Sequence, residues 1–198
     1  HGDKLVVSKL LSLEAFGYYS LAAMTAGVLS RVIGPIYSAF FPRLTHLVAS
    51  GDSAGISGIY HTGTQVMSVL LLPPAAMLMF FSHDIMSLWF RDGVTADATY
   101  LVVSILAAGS AFTGILHLPY ALQLANGWMR LALPANLIMT VIALPAMFFM
   151  TKSFAAIGAA LVWPVINGIY LVTATAIVHR RFLKGELGRW YSESLLRP

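Results

Sequence analysis

Five long apolar stretches make up most of this chain, and short charged segments separate them. The stretches are 16–41, 59–82, 98–124, 131–150 and 154–178. Each contains 20 or more residues, and a helix needs about 20 to cross a hydrocarbon core of about 30 Å. Of the 12 basic and 8 acidic residues in the chain, only Arg31 lies inside a stretch. The pattern therefore predicts five membrane-spanning helices.

The composition agrees with this pattern. The chain is 58% hydrophobic and 10% charged, with a mean hydropathy of +0.78, whereas soluble domains are about 25% charged. The stretches do not show the ten-residue alternation of polarity that is typical of membrane barrels. We therefore expect an all-α integral membrane protein. The chain has no cysteine, which excludes disulfides, thiolate metal sites and cysteine catalysis.

The ends of the sequence predict a fragment of a larger protein. The first residue is His1 rather than methionine, and no signal segment with a cleavage motif follows it. Five spans also place the two ends on opposite sides of the membrane, which is uncommon for a complete transporter built from repeats. We therefore expect a missing upstream half, with residues 1–181 forming a partial C-terminal transmembrane lobe.

Basic residues concentrate directly after the last stretch and predict the orientation, because positive charge near a span favours the cytoplasmic side. They are Arg180, Arg181, Lys184, Arg189 and Arg197. On this basis we place the tail, residues 182–198, in the cytoplasm. The segments 42–58 and 125–130 then share its side, while the N-terminal segment, 83–97 and 151–153 lie outside. The net charge of +4 comes mainly from the tail and does not imply nucleic acid.

The tail also carries apolar residues between its basic ones. They are Phe182, Leu183, Leu187, Trp190, Tyr191 and Leu195. This mixture predicts a short amphipathic helix in the membrane interface, with its apolar side in lipid and its cations toward the headgroups.

Prolines within the stretches predict bends near Pro35, Pro73-Pro74 and Pro164, because proline removes a backbone donor and clashes with the preceding turn. The alternative is that these prolines have no special role, since proline is commoner in membrane helices than in soluble ones.

Arg31 is the first candidate for chemistry. A guanidinium in mid-membrane costs at least about 2.5 kcal/mol, so such residues usually face a protein interior or a wet cavity. On a helix Arg31 shares a face with Gly27, Gly34 and Ser38, and small residues leave room for a ligand or another helix. Arg31 could therefore bind a phosphate through its paired donors, or it could hold the helix bundle together.

The other four stretches also have a mildly polar face. The faces are His61, Gln65 and Ser68; Gly109, Thr113, His117 and Tyr120; Asn136 and Thr140; and Trp163, Asn167 and Tyr170. If these faces converge, they line a hydrated, mostly neutral cavity that suits a sugar-bearing ligand. The alternative is hydrogen bonding between helices at about 1 kcal/mol or less per bond, which we favour for Asn136 and Asn167.

Metal binding and catalysis find little support in the sequence. His61 and His117 each lack a second His, Asp or Glu at ligand spacing on the same helix, so we expect no metal and no cofactor. No carboxylate lies inside a stretch, and an enzyme would have to use Asp84, Asp92 or Asp97 from one loop. We interpret His83 beside Asp84 as a solvated pair rather than an acid/base couple.

The N-terminal third of the chain resembles the bacterial polysaccharide flippases of the multidrug/oligosaccharidyl-lipid/polysaccharide exporter superfamily. The resemblance lies in Asp3-Lys4-Leu5-Val6-Val7-Ser8-Lys9, in Phe16-Gly17-Tyr18-Tyr19, in Gly34-Pro35-Ile36 and in Phe41-Pro42-Arg43-Leu44. In that family the first of these segments joins the seventh and eighth of about twelve helices. Weaker matches, such as Leu88-Trp89-Phe90, extend the resemblance over nearly the whole chain.

The resemblance implies a carrier of two six-helix lobes that moves an undecaprenyl-diphosphate-linked oligosaccharide across the bacterial inner membrane. This chain would be most of the second lobe, and its partners would be that glycolipid, membrane lipids and the missing N-terminal lobe. The substrate-binding residues would be Arg31, Lys4, Lys9, Gln65, His117 and Asn167. Coupling to an ion gradient or to the membrane potential stays open.

Two other functions stay open as well. A drug or cation extruder of the same superfamily would be expected to carry acids within its membrane helices, and these five stretches have none. A membrane glycan-modifying enzyme would depend on the loop carboxylates Asp84 or Asp92.

Overall fold

A computed structural model describes the backbone of residues 2–91 and 93–195, and their side chains outside 2–5, 129–133 and 135. Every regular element in this part of the chain is a helix. The helices are α1 (Gly2–Leu10), α2 (Leu13–Gly27), α3 (Ser30–Ser50), α4 (Ser53–Phe80), α5 (Ser82–Phe90), α6 (Gly93–Ala125), α7 (Met129–Phe182), α8 (Leu187–Arg189) and a π-helix (Trp190–Leu195). Within the described residues, four helical segments are long and apolar enough to cross a membrane: Leu13–Ser50, Ser53–Phe80, Gly93–Ala125 and Asn136–Phe182.

The last segment, α7, is a hairpin of two antiparallel arms. Phe154 and Ala155 have non-helical backbone angles, and Ala155 has a φ of 49°. Residues 129–153 form the first arm and 156–182 the second. Thr140 and Trp163 line the same cavity, although a straight helix would place them about 35 Å apart. The reversal therefore divides α7 into two arms that lie side by side.

The first apolar stretch is also divided. α2 and α3 meet at Val28 and Leu29, where the backbone N–H groups bond three residues back, to Thr25 and Ala26. The interruption precedes Pro35, the position where the sequence predicts a bend. Pro35 itself and the other proline positions named above lie within helices that continue through them.

Two segments predicted as loops are largely helical. α3 continues through Pro42 to Ser50, so the connection to α4 is only Gly51 and Asp52. Gly51 has a φ of 71°, which favours glycine, and the Asp52 side chain accepts a hydrogen bond of 2.9 Å from the Gly55 N–H. On the other side, the predicted loop 83–97 contains most of α5.

α6 runs through the middle of the bundle and packs against α2, α3, α4, α5 and α7. One buried cluster joins α3, α4, α6 and the tail, and includes Leu44, Met67 and Leu118. A second joins α1, α2, α5, α6 and α7, and includes Val7 and Met86. The outer faces carry exposed apolar residues such as Phe80, Leu137 and Phe149, as expected for a surface in contact with lipid rather than water.

The turns separate into two ends of the bundle. At one end the tail contacts the start of α4, and Trp128, which precedes α7, packs edge-on against Phe182 at 5.3 Å. At the other end Val7 of α1, Met86 of α5 and Met147 of the first arm share a cluster. The tail and the turns at 51–52 and 125–128 therefore lie on one side, the side that the basic residues predict to be cytoplasmic.

The tail packs differently from the prediction. Leu183, Trp190 and Leu195 were expected to face lipid, but all three are buried in the cluster that α4 forms with α3 and α6. The indole N–H of Trp190 donates a 3.0 Å hydrogen bond to the Thr64 hydroxyl. A buried partner for that N–H explains why the ring packs against protein here. The remainder of the tail, residues 196–198, lies outside the described residues.

Candidate functional site

α6 and the two arms of α7 line an open cavity of about 480 Å³, hereafter the polar cavity. Each helix contributes four side chains: Thr113, Leu116, His117 and Tyr120 from α6; Asn136, Met139, Thr140 and Ala143 from the first arm; and Trp163, Ile166, Asn167 and Tyr170 from the second. The polar faces predicted for the last three stretches therefore converge, whereas those of the first two stretches do not join them. The cavity contains hydroxyl, amide, imidazole and aromatic groups, and among the residues whose side chains the structure describes no charged one lines it.

A second cavity of about 460 Å³, hereafter the apolar cavity, lies beside it between α2, α6 and α7. Most of its lining is alkyl, glycine or aromatic, and includes Ala26, Leu106 and Met147. Thr140, Ala143 and Trp163 line both cavities. The two spaces therefore adjoin along the first arm of α7, and the first has more polar side chains in its lining than the second.

Hydrogen bonds fix the orientation of the polar groups. The His117 Nδ1–H donates to the Thr113 carbonyl at 2.7 Å, which leaves Nε2 as the ring nitrogen for a ligand. The Asn167 amide donates to the Trp163 carbonyl at 2.9 Å and accepts from the Thr113 hydroxyl at 3.3 Å. Asn167 thus links the second arm to α6, as expected for interhelical bonding, while it also lines the cavity.

Close packing of α6 against the second arm places Trp163. A Cβ on Gly109 would overlap the Trp163 ring and would meet the Pro164 nitrogen at 3.3 Å. Glycine at this position therefore lets the indole lie across α6, between the two cavities. A flat aromatic face beside hydroxyl and amide groups is suited to the apolar face of a sugar ring.

Arg31 does not line either cavity. Its side chain is exposed, one turn from the break between α2 and α3, and forms no ion pair within the described part of the chain. Its neighbours Gly27 and Gly34 have open space where a Cβ would be, and Gly27 lines the apolar cavity. Arg31 therefore lies on an open face close to the end of that cavity.

The remaining predicted site residues lie elsewhere. Lys9 is exposed on α1, and the Lys4 side chain lies outside the described residues. Gln65 donates to the Glu193 carbonyl at 3.3 Å and so contacts the tail rather than the polar cavity. Of the six residues predicted to bind substrate, His117 and Asn167 share one cavity, and Arg31, Lys9 and Gln65 do not join them.

The loop acids form an exposed group on the outer surface. His83 Nε2 lies 2.9 Å from Asp97 Oδ1, and His83 Nδ1 lies 4.0 Å from Asp84 Oδ1. All three side chains are about half exposed or more, and exposed ion pairs of this kind are worth about 0–1 kcal/mol. Asp92 lies outside the described residues. Among the described residues no three His, Asp or Glu lie close enough to hold a metal ion.

Sequence reasoning missed two features of the site. The apolar lining residues Leu116, Met139 and Ile166 carry no signal that distinguishes them from lipid-facing side chains. The adjoining apolar cavity depends on how α2 approaches the α7 hairpin, which periodicity alone does not reveal. The polar lining residues Thr113, Tyr120 and Tyr170 were on the predicted faces and were recognisable by their spacing.

Comparison with known proteins gives two matches. The family model described as "Polysaccharide biosynthesis protein" matches residues 1–93. A protein of Shigella flexneri named "Putative O-antigen transporter" is 21% identical to the chain over 163 residues, which cover 82% of this chain and 38% of that protein. The chain thus spans well under half the length of this relative. No solved structure matches it.

The two matches agree with each other and with the membrane helices. The family match covers α1 to α5, where the Asp-Lys and Phe-Gly-Tyr-Tyr elements lie, and the relative extends the similarity over most of the chain. These findings agree with the resemblance to polysaccharide flippases found in the sequence, and the long apolar helices support a multi-pass membrane protein.

Proposed function

We propose that this chain is part of a flippase that moves a lipid-linked oligosaccharide across the bacterial inner membrane for assembly of a surface polysaccharide. The protein acts as a carrier rather than an enzyme. In this proposal the chain supplies most of one lobe, and further residues of the same protein, including a second lobe, complete the pathway. The tail lies on the cytoplasmic side.

The observation that carries the proposal is the contact between the polar and apolar cavities. A lipid-linked oligosaccharide has a hydroxyl-rich part and a hydrocarbon part, and it requires both environments close together inside one membrane protein. The polar cavity offers neutral donors and acceptors together with the Trp163 face. The apolar cavity offers alkyl and glycine surface on the other side of Thr140 and Ala143.

Arg31 supplies the charge that the cavities lack. Because it is exposed on a face with open space at Gly27 and Gly34, its guanidinium is accessible to a diphosphate between the glycan and the lipid. Paired N–H donors match phosphate oxygens in geometry and charge. In this proposal Lys4 and Lys9 add positive potential near the external opening.

A bulky substitution at the boundary of the two cavities tests the proposal. Ala143 lines both cavities, whereas its neighbour Ile142 is 54% exposed on the outer face of the same arm. We expect Ala143→Trp to abolish most surface polysaccharide in cells that depend on the complete protein, because the indole fills the shared space. Ile142→Trp is the matched control and should leave export near normal.

The readouts are surface polysaccharide and the amount of folded protein in the membrane. Arg31→Gln should reduce export at normal abundance, and Arg31→Lys should retain part of it, since lysine keeps the charge but loses the planar fork. Normal export by Ala143→Trp at normal abundance would refute a substrate path along these cavities. If every loss of export follows a loss of folded protein, the role of these residues is structural instead.

A further inference from the structure

The tail is fastened to the bundle by a buried aromatic side chain. Trp190 is fully buried, with its ring centroid 6.5 Å from Tyr60 of α4 and 5.4 Å from His179 of the second arm of α7. The ring therefore lies against both helices at the end of the bundle that also holds the 51–52 turn. Through Trp190 the tail connects α4 to the second arm.

A set of polar contacts surrounds this aromatic anchor. The His61 Nε2–H donates to the Glu186 carboxylate at 2.8 Å, and the Ser57 hydroxyl donates to the same oxygen at 2.6 Å. His61 Nδ1 lies 2.5 Å from the Ser194 hydroxyl. Since Glu186 precedes the tail helices and Ser194 nearly ends them, His61 of α4 holds both ends of the segment.

Two polar groups on the surface that the tail covers lack a hydrogen-bond partner among the described residues while the tail is in place. Tyr60 Oη and His179 Nε2 are buried near Trp190, and neither has a hydrogen-bond partner among the described residues. Both groups would gain water if the tail moved away, which reduces the advantage of the covered state. A segment that opens and closes requires its covered and open states to have similar free energies.

The tail also has a point at which it can pivot. Gly185 has a φ of 83° and nothing within 4 Å of the position of a Cβ. It lies between the end of the second arm and Glu186, so rotation there moves the tail as a unit. Beyond it the segment Trp190–Leu195 is a π-helix, a form that is rare and is often found at functional sites.

We propose that residues 186–195 form a latch that alternates between a docked and a released state. Docked, the latch fastens α4 to the second arm of α7 through Trp190 and the contacts of Glu186 and Ser194 with His61. Released, it exposes this end of both helices to water and allows them to move separately. The inference concerns the tail alone and does not depend on which substrate the protein carries.

Labelling of single cysteines tests the latch, because the 198 residues contain no native thiol. In the complete protein, with any cysteine elsewhere replaced, Leu195→Cys reports the released state, since Leu195 is 9% exposed when docked. Ser192→Cys on the exposed side of the same segment is the matched control. We expect N-ethylmaleimide at neutral pH to label the cysteine at 195 at least about tenfold more slowly than that at 192.

Adding Glu186→Gln should raise the rate at position 195 about tenfold and leave the rate at 192 unchanged, because it removes the charged acceptor of His61 and Ser57. Equal rates at 192 and 195 in the otherwise unchanged protein would overturn the docked state. A slow rate at 195 that Glu186→Gln leaves slow would overturn the latch in favour of permanent packing. If Leu195→Cys does not fold, acrylamide quenching of Trp190, which is fully buried when docked, takes its place and should rise on addition of Glu186→Gln.

Discussion

The reversal in α7 makes a sharp prediction about Gly158. This residue lies in the first turn of the second arm, and a Cβ there would overlap the carbonyl of Met150 from the first arm and would lie 3.0 Å from the Phe154 Cβ. A backbone carbonyl cannot rotate away as a flexible side chain can. Gly158→Ala should therefore destabilise the protein, even though alanine is a better helix former than glycine.

The two opposing effects have different sizes. Alanine in place of glycine in a helix interior contributes about 0.8–1.0 kcal/mol of stability. Overpacking typically costs about 1–3 kcal/mol, and a clash with backbone lies at the upper end of that range. The steric effect wins, with a net loss of about 1–2 kcal/mol. At about 2–4 °C per kcal/mol for a domain of this size, the Tm should fall by several degrees.

The sign of the change in Tm on Gly158→Ala distinguishes a hairpin in α7 from a straight helix. In a straight α7, Gly158→Ala would have no carbonyl in its way and would stabilise. Thermal unfolding of the purified complete protein in detergent measures the difference, with Gly58→Ala as the control, because Gly58 has open space at its Cβ position. An unchanged or higher Tm for Gly158→Ala would refute the reversal at Phe154 and Ala155.

Two further predictions concern α6 and the tail. Gly109→Ala should displace Trp163 and lower both export and Tm, whereas Gly17→Ala, which has open space at its Cβ position inside α2, should leave export unchanged and raise the Tm slightly. Burial raises the pKa of Glu186, but hydrogen bonds from Ser57 and His61 outweigh it and leave the pKa below its ordinary value of 4.5. A lowered pKa stabilises docking at higher pH, so the tail should release only as the pH falls through that lowered value. Acrylamide quenching of Trp190 measures this release and should rise at that pH. The Trp190 signal is the difference between the unchanged protein and Trp190→Phe. A rise in quenching centred at or above pH 4.5 would contradict the prediction.

The apolar stretches were predictable because the membrane imposes a simple rule on them. Every backbone polar group in lipid must be paired within the segment, so long stretches without charge become helices whatever else they do. The helices extend beyond the predicted spans at several ends, for example from Pro42 to Ser50 in α3. Outside the membrane that rule does not apply, and hydropathy no longer marks where a helix stops.

The polar cavity was partly predictable for a related reason. Spacing of three or four residues places Thr113 beside His117, and Asn167 beside Trp163, on one helical face, and such faces tend to avoid lipid. Spacing cannot tell which faces meet. Gln65 lies on a polar helical face as His117 does, but it donates a hydrogen bond to the tail. No pattern in the tail sequence shows that Glu186 and Ser194 will contact His61.

The separation of Arg31 from the polar cavity has a consequence for transport. A carrier must release its ligand, so binding has to be weak enough at each point for the ligand to leave. Neutral hydroxyl and amide groups exchange one set of hydrogen bonds for another, at a net of about 0.5–1.5 kcal/mol each, and the described side chains that line the cavity between α6 and α7 include such groups but no Lys, Arg, Asp or Glu. A guanidinium inside it would bind a diphosphate far more tightly in the low dielectric of the membrane. In the proposed function Arg31, on the open face beside Gly27 and Gly34, would attract the same charge from outside the cavity, which favours capture without retention. Moving a positive charge into the cavity, as in Thr140→Arg, should therefore slow export while leaving Arg31 intact. Faster export by Thr140→Arg at equal abundance would contradict this division between a neutral cavity and an exposed cation.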